Sequence, residues 1–355
     1  MRTALVSDLH LGSIGGNDIV REPERRERLV AALEDADRVV LLGDALELRQ
    51  RPVAAVLEIA RPLFEALGRA LAGRRLVIVP GNHDHGLAGP WLERLRLDGA
   101  EPAADAEWAV NGSDGLAGRL AQAMPEVEVT LAYPGLVLHP GVYATHGHYL
   151  DLHLTVPRIE SVAASAMGRL TRRGREARSP ADYEAILGPM YAFYGGLAEG
   201  APPAALERGG TVSRDVWARA NGADGRAAGF LLGRVTIPGA VAVLNGLGLG
   251  PFSSVLTGEE LRRAGLTAMG RVADAIAPPG TTDVVFGHTH RPGPLPADDP
   301  GEWRSSGGIR LWNSGSWFHE TAFVADRDTG NPYWPGTVLV LDDEGPPERR
   351  NVLPD

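Results

Sequence analysis

The chain has 355 residues, 44% hydrophobic and 23% charged, with a formal net charge of −10 and a pI near 5.5. That length suits one large domain or two modest ones, and the acidic balance excludes a general nucleic-acid-binding surface, which needs a basic face to displace counterions. With no cysteine, disulfides and thiolate sites are excluded, which leaves imidazole, carboxylate, amide and water as ligands for ions such as Mn, Fe, Zn or Mg.

In chain order, MRTALVSDLH runs into a strand with no signal-peptide apolar core, so the expected location is the cytoplasm. Thr3–Ser7 reads as a buried strand. Glu24–Asp37 reads as a helix, with Pro23 at its start and Leu29, Val30 and Leu33 as its apolar stripe. Arg38–Leu42 is a second strand, Val53–Ala72 a second helix and Arg75–Val79 a third strand. This βαβαβ rhythm predicts a parallel sheet with helices over its faces. Thr282–Phe286, Ile309–Trp312 and Thr337–Leu341 read as later strands, the last two as antiparallel additions. Residues from about 150 to 275 are rich in Ala, Gly and Arg and read as helical, with a good helix start at Ser179-Pro180-Ala181-Asp182. The expected organisation is therefore an α/β core of residues 1–150 and 276–355 with a mostly helical cap, 151–275, inserted into it.

Polar clusters follow the apolar runs. Asp8-Leu9-His10 follows the first, Gly43-Asp44 the second, and Gly81-Asn82-His83-Asp84 the third; His146-Gly147-His148 follows Val142–Thr145, and Gly287-His288-Thr289-His290 follows Val284–Phe286. In open parallel sheets the ligand crevice lies outside the carboxyl ends of the strands, so these clusters can converge. Asp8 and His10 are two apart, as are His288 and His290; on extended backbone such pairs point to one side. Each short motif alone reads as a capped turn or a satisfied core histidine, whereas the ordered set does not. The inventory exceeds what one ion needs and suits two, with Asp44 the natural bridge. His85, His139, His153 and His319 read as loop or surface residues, His148 is ambiguous, and Glu47 reads as a supporting partner or helix-start residue.

Together these motifs, which span residues 1–150 and 280–320, resemble the calcineurin-like metallophosphoesterase family. The resemblance implies a four-layer α/β/β/α sandwich around two divalent metal ions, Mn foremost, with Fe or Zn as alternatives. It places Asp8, His10 and His290 on one ion and Asn82, His146 and His288 on the other, bridged by Asp44. His83 would be the non-ligand catalytic histidine, with Asp84 holding its imidazole. The implied activity is hydrolysis of phosphate esters or pyrophosphates by a hydroxide bridging the metals. Asn313-Ser314-Gly315-Ser316-Trp317 resembles the family's turn after the last histidine motif and is expected to complete the pocket wall. Purple acid phosphatases carry a tyrosine ligand three residues after the bridging Asp, where this chain has Glu47. A nuclease or cyclic-nucleotide phosphodiesterase is the second enzymatic reading, and a scaffold that keeps the fold without catalysis is the reading from another class.

The cap bears on the substrate. Arg158, Arg169, Arg172, Arg173, Arg175 and Arg178 oppose only Glu160 and Glu176, which makes either a solvated helix face or a clamp for an anionic substrate or membrane surface. Val235–Gly258 holds no charged residue but carries prolines and many glycines, so packing within the cap or against a second copy of the chain is expected rather than a membrane span. GHTHRP, NSGSW and the cap together look like the UDP-diacylglucosamine pyrophosphohydrolase branch, although His148 stands where that branch has Asp after His-Gly. The expected partner is a small-molecule or lipid-linked phosphate substrate, with no long nucleic acid and with a route to peripheral membrane contact through the cap.

Overall fold

In the computed structural model, which describes residues 1–173, 176–200, 237–253, 257–321, 323–324 and 329–353, the first apolar runs become adjacent parallel strands. They are β1 (Thr3–Val6), β2 (Arg38–Leu42) and β3 (Arg75–Val79), connected by α1 (Pro23–Leu33) and α2 (Val53–Ala70). Pro23 opens α1, where its fixed φ fits the first turn. Val56, Ala60, Leu63, Phe64 and Leu67 recur at helical spacing along α2 and form its buried stripe. Truncating Phe64 to alanine would cost about 3–5 kcal/mol in lost burial and cavity formation.

Every residue of β2 is buried, which requires cover on both faces of the sheet. The alternation along the strand shows what covers each. Val39 and Leu41 pack with α2 in one apolar cluster, while Val40 and Leu42 pack in another with Leu136, Ala144 and Val285 of a second sheet. The first sheet has the order β11-β10-β1-β2-β3-β5-β4, completed by β4 (Ala106–Ala109), β5 (Glu128–Tyr133), β10 (Thr337–Leu341) and β11 (Glu348–Asn351). The second has the order β6-β7-β8-β9, from β6 (Gly135–His139), β7 (Val142–Thr145), β8 (Asp283–Phe286) and β9 (Arg310–Asn313). Its outer face, with Val284 and Phe286, packs against Ile186 and Leu187 of α6 (Pro180–Gly200) and Met269, Val272 and Ile276 of α8 (Gly258–Ile276). The result is an α/β/β/α sandwich. The other helices are α3 (Gly89–Asp98), α4 (Leu116–Gln122), α5 (Ile159–Leu170) and α7 (Ile237–Gly246).

Two details differ from the sequence expectation. Ile309–Trp312 was expected as an antiparallel addition beside Thr337–Leu341, yet β9 pairs in parallel with β8, and β10 lies in the other sheet, antiparallel to β1. Turn-rich sequence between two strands does not say which sheet each joins. The expected boundary at residue 275 falls inside α8, whose apolar face lies on the second sheet. Arg175 and parts of Val235–Gly258 lie outside the described residues. No helix among the described residues is long and apolar enough to cross a membrane.

Candidate metal centre

The loops leaving β1, β2, β3, β7 and β8 meet above the strand ends, and their backbone is unusual. Asp8, His10, Asp44, His288 and His290 all adopt positive φ, between 45° and 65°; among the described non-glycine residues only Arg172 joins them. A left-handed backbone costs a residue with a Cβ about 1–2 kcal/mol, so the strain is concentrated at the polar cluster. This corrects the expected extended geometry: the Asp8/His10 and His288/His290 pairs converge through left-handed turns. Glycine is required where chains nearly touch. A Cβ on Gly43, itself at φ 85°, would collide with the His146 ring. One on Gly287 would lie 2.6 Å from Asp8 Oδ2.

Two groups of potential donors result. In Asp8, His10 and His290, and again in Asp44, His146 and His288, one donor atom per residue lies within 4.8 Å of the others. His290 Nε2 is 3.3 Å from Asp8 Oδ1 and 3.2 Å from His10 Nε2. His146 Nε2 is 3.1 Å from Asp44 Oδ2, and its Nδ1 bonds the Leu42 carbonyl at 3.0 Å, which fixes the ring with Nε2 inward. Asp44 links the groups, with Oδ2 3.8 Å from His10 Nε2. His10, Asp44 and His83 form a third such group.

The chemistry of this donor set fits cations. Asp8, Asp44, Glu47, Asp84 and Asp151 are all buried, and among the described residues no arginine side chain forms an ion pair with any of them. Imidazoles face them instead. Burial pushes His10 down, but the hydrogen bond to Glu47 and the charge of Asp44 carry it up to about 9. Burial likewise opposes a charged His146, but Asp44 and Asp8 push it up to about 10. Asp44 is held well below the usual carboxylate range despite burial, chiefly by His146 and His83. At His10 and His146 the surrounding carboxylates thus outweigh burial and favour positive charge.

Asn82 lies in the same cluster. Its side-chain oxygen lies 3.2 Å from both Asp44 Oδ2 and His288 Nδ1, while its nitrogen faces Arg49 Nη1 at 3.0 Å. Turning the amide over would make ordinary hydrogen bonds of these contacts. In that orientation the Asn82 amide ties the β3 loop to Asp44 and His288, and its oxygen accepts from Arg49.

The expected partner of His83 is corrected. Asp84 accepts backbone N–H bonds from Gly81 (2.7 Å), Ala45 (2.9 Å), Asp44 (3.3 Å) and Leu46 (3.3 Å), and so ties the β2 loop to the β3 loop. Burial, followed by the charge of Asp44, pushes it up to about 6. Glu47 Oε2 is the group on His83, 2.6 Å from Nδ1, and it also lies 3.4 Å from His10 Nδ1. His83 Nε2 faces Arg49 Nη1 at 3.2 Å, and the Arg49 guanidinium in turn lies 4.2 Å from the Tyr194 ring centroid. Asp151 holds His288, with Oδ1 3.1 Å from Nε2, and its other oxygen has no hydrogen-bond partner among the described residues. The position of Glu47 three residues after Asp44 is the sequence signal for its role; neither Arg49 nor Asp151 has one.

The remaining histidines divide. His139 is half-buried at the end of β6, where it pairs with Val142 and its ring bonds the Pro140 carbonyl, so it is a strand residue rather than the expected loop residue. His85 and His153 are buried, contrary to the loop or surface expectation, and bond Glu184 (3.1 Å) and Tyr183 (2.7 Å) of α6. His148 is buried 3.3 Å from the Tyr133 hydroxyl, and burial followed by the charges of His146 and His288 holds it well below its usual value. The Asn313–Trp317 turn braces the loops: the Asn313 side chain bonds the Gly287 carbonyl, and Ser314 Oγ meets Ser7 Oγ at 2.7 Å.

Comparisons with known proteins agree with this geometry. A search of curated proteins returns no match. A cold-active protein-tyrosine phosphatase from a psychrophilic Shewanella species is similar over 96% of this chain and 75% of its own, at 13% identity and a TM-score of 0.30, too low to carry an argument. The sequence profile described as calcineurin-like phosphoesterase matches residues 1–224, more than half of the chain. With the sandwich and its loop-borne cluster of imidazoles and carboxylates, that match makes the chain a member of the calcineurin-like phosphoesterase family and a metal-dependent phosphoester hydrolase.

Proposed function

We propose that the chain hydrolyses small or lipid-linked phosphate esters or pyrophosphates at a centre of two divalent cations, manganese foremost. Asp8, His10 and His290 would hold one ion, Asn82, His146 and His288 the other, and Asp44 both. The observation that carries this reading is the pair of three-residue donor groups within 4.8 Å, joined by a buried Asp44. When bound, two such ions supply Lewis-acid neutralisation of phosphoryl charge and a water of lowered pKa.

The side chains around them have distinct tasks. Glu47 accepts a hydrogen bond from Nδ1–H of His83 and so turns Nε2 to the substrate side. The imidazolium form would give its Nε2 proton to the departing oxygen as the P–O bond breaks and be left as the neutral Nδ1–H tautomer. Arg49, beside His83 Nε2 and the Asn82 amide, is placed to meet a phosphoryl oxygen. Asp151 fixes the ring of His288. Those parts of residues 151–275 that do not pack on the second sheet would supply substrate selection and any peripheral membrane contact.

The test is a screen of the manganese-loaded protein against monoesters, diesters, cyclic nucleotides and nucleotide-diphosphate lipids, with metal content measured in parallel. Metal-dependent turnover of one class is expected, and selective cleavage of diesters or cyclic nucleotides would favour the phosphodiesterase reading. Less than one bound ion per chain and no turnover would replace the enzyme with a scaffold.

A further inference from the structure

Beside His288 and His290 opens a cleft of about 630 Å³, open solvent at its mouth included. Its walls are mostly apolar. Leu154 follows β7, Leu261 and Leu266 come from α8, and Trp303 and Tyr333 close the far side. A chamber that served only inorganic phosphate would have no use for this surface.

Arginines also reach the cleft, and their commitments differ. Arg291 makes a double bond pattern to Asp298 at 2.6 and 2.9 Å, and Arg262 is tied to Glu302 at 2.7 Å and Asp298 at 3.3 Å. Arg158, half-buried at the start of α5, donates no side-chain hydrogen bond to a described residue and has no carboxylate within ion-pair range among them. The acids whose charges it feels have nearer partners of their own. Asp151 is on His288 at 3.1 Å, Glu160 is 3.8 Å from Arg49, and Glu320 is 3.9 Å from His290. Among the described residues Arg158 is thus a guanidinium whose donors have no protein partner, on the same cleft as His288 and His290.

The geometry points to a leaving-group pocket: the substrate is a phosphoester whose alcohol carries an aryl or branched-alkyl body along Leu154, Leu261 and Leu266, and a second anionic group, carboxylate or phosphate, that Arg158 binds. This deepens the proposed function and rests on it. Burial of an apolar body would supply affinity, about 25 cal/mol per Å² removed from water, and Arg158 would select for the second charge.

The test compares methyl phosphate, phenyl phosphate and 4-(carboxymethyl)phenyl phosphate on the manganese-loaded protein. The matching phosphonates, phenylphosphonate and its carboxymethyl derivative, are titrated by calorimetry. In wild type the order of kcat/KM should be carboxymethylphenyl, phenyl, methyl. Arg158→Met should raise KM and Kd for the carboxylate-bearing compounds about tenfold, the worth of one charge-assisted pair, and leave kcat and the plain phenyl compounds unchanged. Arg158→Lys should recover part of the loss. Leu261→Trp, which fills the cleft, should weaken phenylphosphonate while sparing methyl phosphate turnover. An equal effect of Arg158→Met on charged and uncharged compounds, or unchanged phenylphosphonate binding in Leu261→Trp, overturns the pocket while the metal-centred reading stands. Phosphonate binding that follows the predicted order with no ester hydrolysed would support the pocket and sink the catalytic reading.

Discussion

The two sheets contribute different chemistry to one centre. The first, built from the sequence-local βαβαβ unit, ends in every candidate oxygen donor: Asp8 after β1, Asp44 after β2 and Asn82 after β3. The second, assembled from β6–β7 and the distant β8–β9, ends only in imidazoles: His146, His288 and His290. The carboxylate contacts that cross the gap, His146 to Asp44 and His290 to Asp8, put nitrogen on the second side and oxygen on the first, while His10, an imidazole on the first side, meets His290 at 3.2 Å. Anionic and neutral donors on opposing sheets let a cation draw the layers together, whereas carboxylates on both would repel while the site awaited its ions.

This asymmetry can be broken from either side. Asp44→Asn, on the oxygen side, should abolish turnover and deplete both ions, because Asp44 adjoins both donor groups. His288→Ala, on the imidazole side, should remove one ion and leave Asp8, His10 and His290 with the other. Elemental analysis of the two purified variants checks the difference, and equal depletion would contradict the division of labour. Next in size, His83→Ala should lower turnover by about 10²–10⁴-fold, as loss of a proton-transfer group does, with metal content unchanged; full activity would remove its assigned role. Asp151→Asn should weaken metal binding by about 10–100-fold through a misheld His288 ring, measured by competition with a chelating dye. Smallest is Glu184→Gln, which disturbs the bond of α6 to the strand-end loops without touching donors. Glu184 bonds Tyr149 (2.8 Å), His85 (3.1 Å) and Tyr133, so the variant should lose about 2 kcal/mol in denaturant unfolding.

Glu184 also sets a pH dependence. Burial pushes its pKa up, but the charge of His85 and the hydrogen bonds from His85, Tyr133 and Tyr149 hold it below the ordinary value of 4.5. A depressed folded-state pKa means that its contribution is present above about 4.5 and is lost as pH falls through the folded value. Acid unfolding of Glu184→Gln should lack that component; an unchanged acid profile would place the pH sensitivity elsewhere.

How legible the chain is depends on the range of the cause. Arg38–Leu42 and Arg75–Val79 are read from sequence to the residue, because a strand covered on both faces is an unbroken apolar run. β4, with its half-exposed AEWA, and the exposed β11 carry no such run and escape notice. The polar clusters are readable because each sits directly after a strand. Asp84 is the instructive exception. Its place in GNHD draws it toward His83, but the left-handed turn at Asp44 points backbone N–H groups at its carboxylate, and these take it. Glu47 is then the acid within reach of the imidazole.

The sequence by itself determined the α/β alternation, the strand ends that bear donors and the kinds of donor there, since periodicity and side-chain chemistry are local properties. Which sheet β9 joins, which acid holds His83, and how Arg158 and α8 come to wall a cleft beside His288 were decided by tertiary structure alone. Those outcomes depend on groups from separate elements, 36 residues apart for Glu47 and His83, being pressed together by burial, and no local pattern records which of them will meet.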